Sequence, residues 1–571
     1  MKNQELSRIF YEIAEFLEME EVAFKPYAYQ KVALVLESME EDVEEIYKSG
    51  GIKALEDIPG VGKNIAERIE EYLKTGKMKY YQYLKKKTPV ELRELTAVEG
   101  LGPKKVKVLY QELGIKNLKD LEKAVKDHKI APLFGFGEKS EKNILEGIVF
   151  LKKSKGRFLL GEILPVVKEI EQQLKSLKEV NQISIAGSVR RKKETVGDVD
   201  FLITTKHPLK VMDFFVSLPG VVKIWGKGPT RSSVRMEKGF DVDLRAVPER
   251  SYGSALQYFT GSKEHNIATR KIAIDKGLKL NEYGIFSGKR MVGGRKEEEI
   301  YKILGMVWVP PELRENRGEI EKSLKNELPD LIELEDIKGD LHCHSDWNGG
   351  ENSISEMAQA AIVRGYQYLG ISDHTKFLRI EQGLDEKKLA RQKKEIDLIN
   401  SKLKTQNSKL RVLQGAETNI LNDGSIDIKD ESLKKLDYAI AGVHSSFKMS
   451  RQRMTERIIK AMKNPYIKIL SHPTGRILKK RDEYQADFDK ILRAARQFNV
   501  ALEVNSHPER LDLNDTNIRK AIESGVKLVI NTDSHHKDQL RLIEFGVAQS
   551  RRGWAQKKDI INCQSLEKLL K

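Results

Sequence analysis

At 571 residues, 33% of them charged and 39% hydrophobic, the chain is too long for a single core, so three or more domains are expected. The formal net charge of +16 points to an anionic polymer as partner, although a basic balance alone also fits a merely soluble protein; two cysteines, Cys343 and Cys563, exclude a disulfide framework or a thiolate zinc cluster and suit a reducing cytosol. The N-terminus, Met-Lys-Asn-Gln-Glu-Leu-Ser, lacks the apolar stretch of a signal peptide, and no run approaches membrane-spanning length, so a cytoplasmic protein is expected.

Residues 1–86 read as amphipathic helices, because Leu6, Ile9, Phe10, Ile13, Phe16 and Leu17 recur at helical spacing and Val32, Val35 and Leu36 repeat the pattern. Ile58-Pro59-Gly60-Val61-Gly62-Lys63 then breaks one helix and starts another. This is the helix-hairpin-helix pattern, in which glycine N–H groups approach a DNA phosphate at a helix N-terminus. A second copy, Val98-Glu99-Gly100-Leu101-Gly102-Pro103-Lys104, falls in an expected DNA-binding unit at 87–155, with a looser third at Leu133-Phe134-Gly135-Phe136-Gly137-Glu138-Lys139. One such hairpin is as readily an ordinary tight turn. Two good copies and a degenerate one on a basic chain favour DNA, with Gly60, Gly62, Lys63, Gly100, Gly102 and Lys104 as contacts.

The run from Ile183 to Ile203 carries the first chemistry. Ile183 and Ile185 alternate as a strand ending in Gly187-Ser188, and Asp198-Val199-Asp200-Phe201-Leu202-Ile203 reads as another, so Asp198 and Asp200 face one side. A third carboxylate comes from Asp241 or Asp243 in Phe240-Asp241-Val242-Asp243-Leu244-Arg245. Three carboxylates can hold two Mg²⁺, and the Gly-Ser turn with Arg190 and Arg191 offers a hydroxyl, open N–H groups and guanidinium forks to polyphosphate oxygens. Gly-Asp-Val-Asp alone would equally be an exposed turn; the ensemble is what phosphoryl or nucleotidyl transfer requires.

Pro310-Pro311 and the charged stretch Glu312 to Glu335 mark a boundary, beyond which eight of the eleven histidines lie. Seven strand-like runs there alternate with helical segments and end in polar residues: Gly339–His344, Leu369–His374, Val412–Glu417, Ala439–His444, Ile469–His472, Leu502–His507 and Val529–His535. Repeated βα units with ligands at the strand C-termini describe a barrel with its site at the top face. Imidazole and carboxylate together suit Zn²⁺, Mn²⁺ or Fe²⁺, which can activate water against a phosphodiester.

The segments Gly187-Ser188-x-Arg190-Arg191, Gly197-Asp198-x-Asp200, Asp243-Leu244-Arg245 and Tyr258-Phe259-Thr260-Gly261-Ser262, followed by Asn266 and Arg270, resemble family X DNA polymerases, from near residue 1 to about 315. The resemblance implies that Asp198, Asp200 and Asp243 are the catalytic metal ligands, Asp243 activating the primer 3′-hydroxyl, with Asp241 an unmatched extra. It gives Gly187, Ser188, Arg191 and Gly197 to the triphosphate, Tyr258, Phe259 and Gly261 to the sugar, and Asn266 and Arg270 to the minor-groove side of the nascent pair. The first hairpin resembles the polymerase-beta-like N-terminal domain that grips the 5′ end of a gap, adding Lys25 and Tyr29 to the DNA contacts. Where lyase members carry a Schiff-base lysine, this chain has Arg68, which stays protonated and cannot be that nucleophile.

Residues 337–571 resemble the polymerase and histidinol phosphatase (PHP) domain, which implies His342, His344, His374, Glu417, His444, His472, Asp533 and His535 as ligands, and His507 and His536 as supporting or solvent-exposed groups. Asn348-Gly349-Gly350 replaces the usual Ser-Asp-Gly, so two tightly held ions and a third that is weak or absent are expected, with Asp346 three residues too early to be expected as the replacement. The expected fold is multidomain α/β: helical hairpin domains at 1–86 and 87–155, a nucleotidyltransferase palm at 156–248, a thumb at 249–315, a linker at 316–336 and a distorted (β/α)7 PHP barrel. The resemblance implies a gap-filling polymerase of base excision repair, monomeric and nucleoid-associated, acting on gapped or nicked DNA and dNTPs without a tightly bound organic cofactor. Its ions would be Mg²⁺ or Mn²⁺ in the palm and Mn²⁺ or Zn²⁺ in the barrel, where 3′-5′ exonuclease action, abasic-site cleavage and 3′-end cleaning are the candidate reactions. The rival is a phosphoesterase whose polymerase half is a DNA-binding platform.

Overall fold

Helices Lys2–Met19, Lys25–Ser38, Val43–Glu56, Lys63–Thr75 and Lys79–Lys87 lead a computed structural model that describes residues 2–22, 24–39, 42–96, 98, 101–153, 157–376 and 383–569. Their apolar stripes, with Leu6, Phe10, Ile13, Val32, Val35 and Ile69 fully buried, form a cluster that continues through Leu92, Val106 and Leu121 to Ile148 in the following helices. The two helical segments therefore share one contiguous core. At the first hairpin Gly60 adopts φ +81°, which a side chain would strain, and Gly62 caps the helix Lys63–Thr75. Gly102 caps Pro103–Leu113 in the same way, with proline at the first helical position.

Next come strands β1 (Phe158–Leu159), β2 (Val180–Ile185), β3 (Thr195–Val196), β4 (Asp198–Thr205), β5 (Val221–Lys227), β6 (Arg231–Met236) and β7 (Asp241–Ala246). β1 pairs with β3 apart from the rest, which form a five-stranded sheet in the order β2-β4-β7-β6-β5. Val199, Phe201 and Ile203 on β4 and Val242 and Leu244 on β7 face the helices Leu160–Lys175 and Pro208–Val216, giving one buried face. β4 and β7 are parallel and in register, Asp198 opposite Asp241 and Asp200 opposite Asp243, so the carboxylates share the other face.

Helices Tyr252–Thr260 and Lys263–Asp275, strands β8 (Lys279–Asn281), β9 (Gly284–Ser287) and β10 (Arg290–Gly293), and helix Glu297–Ile303 follow. The stretch 316–336, expected as a linker, is packed: it carries the helix Glu319–Leu324, and Glu319, Ile320, Leu331 and Ile332 are buried.

Strands β11 (Gly339–Cys343), β12 (Tyr368–Ile371), β13 (Arg411–Gln414), β14 (Glu417–Asn419), β15 (Ala439–Gly442), β16 (Ile467–Leu470), β17 (Ala501–Asn505) and β18 (Leu528–Asn531) are parallel within two sheets, β11-β12-β13 and β14 through β18. The seven expected runs thus become eight strands. The run Val412–Glu417 breaks because Gly415 passes the ring of Tyr438 so closely that a Cβ there would lie 2.5 Å from Tyr438 Cζ. Single bridges close the two sheets into a ring: His374, just past β12, pairs with Glu417 at the start of β14, and Cys343, at the end of β11, pairs with Ser534, just past β18. Leu341, Tyr368, Leu413, Ile440, Ile469, Ala501 and Val529 fill its interior around Tyr438, one residue from each strand except β14.

Candidate active sites

In the five-stranded sheet, the first site is built where β2 turns into the helical turn Gly187–Arg190. Gly187 has φ +62°, and a Cβ there would lie 2.6 Å from Asp200 Oδ2, so a glycine is required for the turn to seat on that carboxylate. Asp243 accepts from Arg231 Nη2 at 2.8 Å and from the Ser233 hydroxyl. Burial, reinforced by Asp198 and Asp243, pushes the Asp200 carboxyl up to about 7. An oxygen-only cluster in which Asp198 and Asp243 raise the proton affinity of Asp200 fits a hard divalent cation.

Asp241 is committed elsewhere. Arg235 donates to both its oxygens at 2.8 Å and Trp225 Nε1 to one at 2.8 Å, so it is an ion-pair partner on the rim of the sheet.

The two arginines of the turn diverge. Arg190 donates bidentately to Glu297 at 2.8 and 2.9 Å, where Arg314 and Trp308 also converge, a buried pin between the sheet and the helices after it. Arg191 donates through Nε to Glu315 at 3.1 Å and through Nη1 to the Thr260 carbonyl, beside Gly261. Ser188 and Gly197 are half-buried. Tyr258 and Phe259 meet edge to face at 5.2 Å, with the Arg245 guanidinium 4.4 Å above Phe259. Asn266 donates to the Tyr258 carbonyl at 2.7 Å, and Arg270 donates to the Asn266 carbonyl at 3.1 Å.

At the hairpins, Lys25, Gly60, Gly62, Lys63, Gly102 and Lys104 are exposed, while Gly100 lies outside the described residues. Tyr29, expected as a DNA contact, is instead 5% exposed, packed against Phe10 and Tyr80; Tyr27, beside it in sequence, is 70% exposed. Arg68 lies 3.7 Å above the Tyr80 ring and 5.4 Å from that of Tyr29.

The second site crowds the C-terminal ends of the ring strands around Glu417. Among the described residues, three overlapping sets hold donor atoms within 4.8 Å of one another: His344, His374 and His535; His342, His344, Glu417 and Asp533; His374, Glu417 and His444. His472 joins them, its Nε2 2.9 Å from Glu417 Oε1. The structure thus brings all eight expected ligands together. His342 Nε2 and Glu417 Oε2 are buried 3.2 Å apart without forming a hydrogen bond, an arrangement that suits a shared ion. Burial opposes a charge on His342, but Glu417, Glu503 and Asp533 outweigh it and hold the imidazole well above its usual range, so the pocket favours a cation at this point.

Sequence reasoning missed the residues that aim these ligands. Glu503 contacts His342 Nδ1 at 2.7 Å and accepts from the His472 backbone N–H at 2.8 Å; Asn419 contacts His444 Nδ1 at 2.7 Å. Such partners fix which ring nitrogen faces the metal. His507 caps its own turn, accepting from the Glu509 N–H at 3.4 Å, and His536 caps the turn at Lys537, so neither joins the ligand sets. In the departing loop Gly349 has φ +78°, and Asp346 faces solvent. Glu351, not singled out from the sequence, bonds through its N–H to the His535 carbonyl at 2.8 Å; burial pushes its carboxyl up to about 7, and its Oε2 has no hydrogen-bond partner.

Family models match along most of the chain: a helix-hairpin-helix domain at 1–78, a SAM-like helix-hairpin-helix tandem at 92–148, the DNA polymerase beta palm at 161–215, the DNA polymerase beta thumb at 255–315 and the PHP domain at 340–507. The DNA polymerase/3′-5′ exonuclease PolX of Bacillus subtilis (strain 168) is 37% identical over 99% of this chain and 98% of its own length. A probable phosphatase of Thermoanaerobacter sp. (strain X514) is 30% identical over 34% of this chain and 78% of its own length, and one of Acetivibrio thermocellus is 27% identical over 34% and 78%.

Proposed function

Since the chain belongs to the family X DNA polymerases that carry a C-terminal PHP domain, we propose that it fills gaps in DNA during base excision repair and hydrolyses DNA 3′ ends, working as a monomer in the cytoplasm, at the nucleoid. The observation that carries the polymerase reading is the in-register pair Asp200 and Asp243, with Asp198 on the same face and the Gly187 turn seated on Asp200.

In this reading Asp243, oriented by Arg231 and Ser233, activates the primer 3′-hydroxyl. The oxygen bonds to the α-phosphorus of a dNTP, and the bond from that phosphorus to the pyrophosphate oxygen breaks. Ser188, Arg191 and the N–H groups of Gly187 and Gly197 hold the triphosphate. Tyr258, Phe259 and Gly261 flank the sugar, and Asn266 and Arg270 reach the minor-groove side. The hairpins at Gly60–Lys63 and Gly102–Lys104, with Lys25, grip the backbone of gapped or nicked DNA. When bound, Mg²⁺ or Mn²⁺ at the aspartates supplies charge neutralisation for the triphosphate, and Mn²⁺ or Zn²⁺ at the imidazole–carboxylate cluster supplies a water of lowered pKa. Glu503 and Asn419 fix the imidazoles of His342 and His444, and the cluster cleaves a 3′-terminal phosphodiester.

The test is primer extension on gapped DNA. Wild type should add the templated nucleotide and also shorten unpaired 3′ ends. A phosphoesterase that merely holds DNA, the reading favoured by the matches to probable phosphatases over about a third of the chain, would shorten ends and add nothing.

A further inference from the structure

The turn proposed to bind triphosphate is held from behind by the barrel. Arg552, the last residue of the helix Ile543–Arg552, is 5% exposed. Its Nη1 donates to the Arg191 carbonyl at 2.8 Å and to Glu315 Oε1 at 3.1 Å, and its Nη2 donates to Asp515 at 2.6 Å. At the other end of the turn, Glu194 accepts from Arg476 at 2.7 and 3.3 Å and from Gln549 at 3.4 Å. The interface is also apolar: Leu511 and Phe545 belong to the core of the five-stranded sheet, and a Cβ on Gly161 would lie 2.3 Å from Pro508.

Glu315 is the shared element. It binds Arg191 at 3.1 Å, Lys193 at 3.7 Å and Arg552 at 3.1 Å. A triphosphate must win the Arg191 guanidinium from this carboxylate. Arg552 keeps Glu315 partly neutralised when Arg191 leaves it, and its bond to the Arg191 carbonyl fixes the backbone from which that side chain extends. Without Arg552, Glu315 would be a half-buried carboxylate with one fewer partner and would hold Arg191 harder.

Resting on the polymerase reading above, we propose that Arg552, a barrel residue, is a positioning residue for nucleotide capture in the other half of the chain: it acts through Glu315 and the Arg191 backbone to leave the Arg191 guanidinium available to the dNTP.

The test is single-nucleotide insertion into a one-nucleotide gap by the full chain and its variants Arg552→Ala, Arg552→Lys and Arg552→Ala/Glu315→Gln, with melting midpoint and gapped-DNA affinity as controls for folding. Arg552→Ala should raise the dNTP KM about tenfold with kcat within about twofold. Arg552→Lys, which keeps the charge but loses the fork, should recover part of this. Removing the Glu315 charge as well should return KM most of the way to wild type, a rescue that a merely structural role would not give. A wild type that inserts no nucleotide defeats the polymerase reading itself. A wild type that inserts, beside an Arg552→Ala whose dNTP KM is unchanged or is not rescued in the double variant, overturns the inference. If Arg552→Ala fails to fold, Arg552→Lys decides: a raised KM supports the inference and a wild-type KM overturns it.

Discussion

Asp200 binds its proton more tightly in the fold than in the unfolded chain, its carboxyl rising from 3.8 to about 7 through burial and the neighbouring Asp198 and Asp243. A carboxyl raised on folding contributes stability that is complete below its unfolded value and is lost as pH climbs through the folded value. The metal-free protein should therefore lose stability between pH 3.8 and about 7 from this group, and a cation that replaces the proton should restore it. The rise in melting midpoint on adding Mg²⁺ should be larger at pH 8 than at pH 6, and Asp200→Asn should flatten that difference. Equal shifts for wild type at both pH values would contradict the electrostatic account. Arg68 gives a second residue-scale outcome: its guanidinium is stacked over Tyr80 and cannot become a free amine near neutral pH. Borohydride should trap little or no covalent adduct on 5′-deoxyribose-phosphate DNA; efficient trapping would assign the chemistry to a lysine or the N-terminus.

Among the elements, the strand ends of the barrel divide what the sequence discloses from what it conceals. His342, His344, His374 and His444 were legible because polar, metal-ligating residues recur at the end of one strand-like run after another, a loading that a lone packed histidine would not produce. Glu503 was not: it lies inside the apolar run Leu502–Asn505, and its role appears once β17 stands beside the residues that follow β16. The break at Gly415 was equally hidden, since it depends on Tyr438, and Tyr29 entered the core because its ring packs against Tyr80, a partner no local pattern shows. Arg552 and Glu315 are 237 positions apart. Glu503→Gln should weaken metal retention about 10- to 100-fold while leaving all eight ligands in place. Metal analysis after dialysis measures it; full retention would make Glu503 a core residue with no part in the site. Wild type should retain two ions tightly and a third weakly or not at all, and Gly349→Asp should tighten the third. Three equally tight ions in wild type would show that another group, such as the buried carboxyl of Glu351, already serves.

At the scale of the whole molecule, the aspartate cluster of β4 and β7 and the imidazole-rich cluster around Glu417 belong to elements with separate apolar cores, held together in part by the buried ion pair of Arg552 with Glu315. The central claim is that one chain carries two independent reactions on DNA. The most direct test measures nucleotide insertion and 3′-end removal on the same gapped substrate for wild type, Asp243→Ala and the His342→Ala/His344→Ala double variant. Asp243→Ala should lose insertion by about a thousandfold or more, equivalent to ~4 kcal/mol, while retaining end removal; the double variant should do the reverse. Insertion by Asp243→Ala at the wild-type rate, or full end removal by the double variant, would contradict the account.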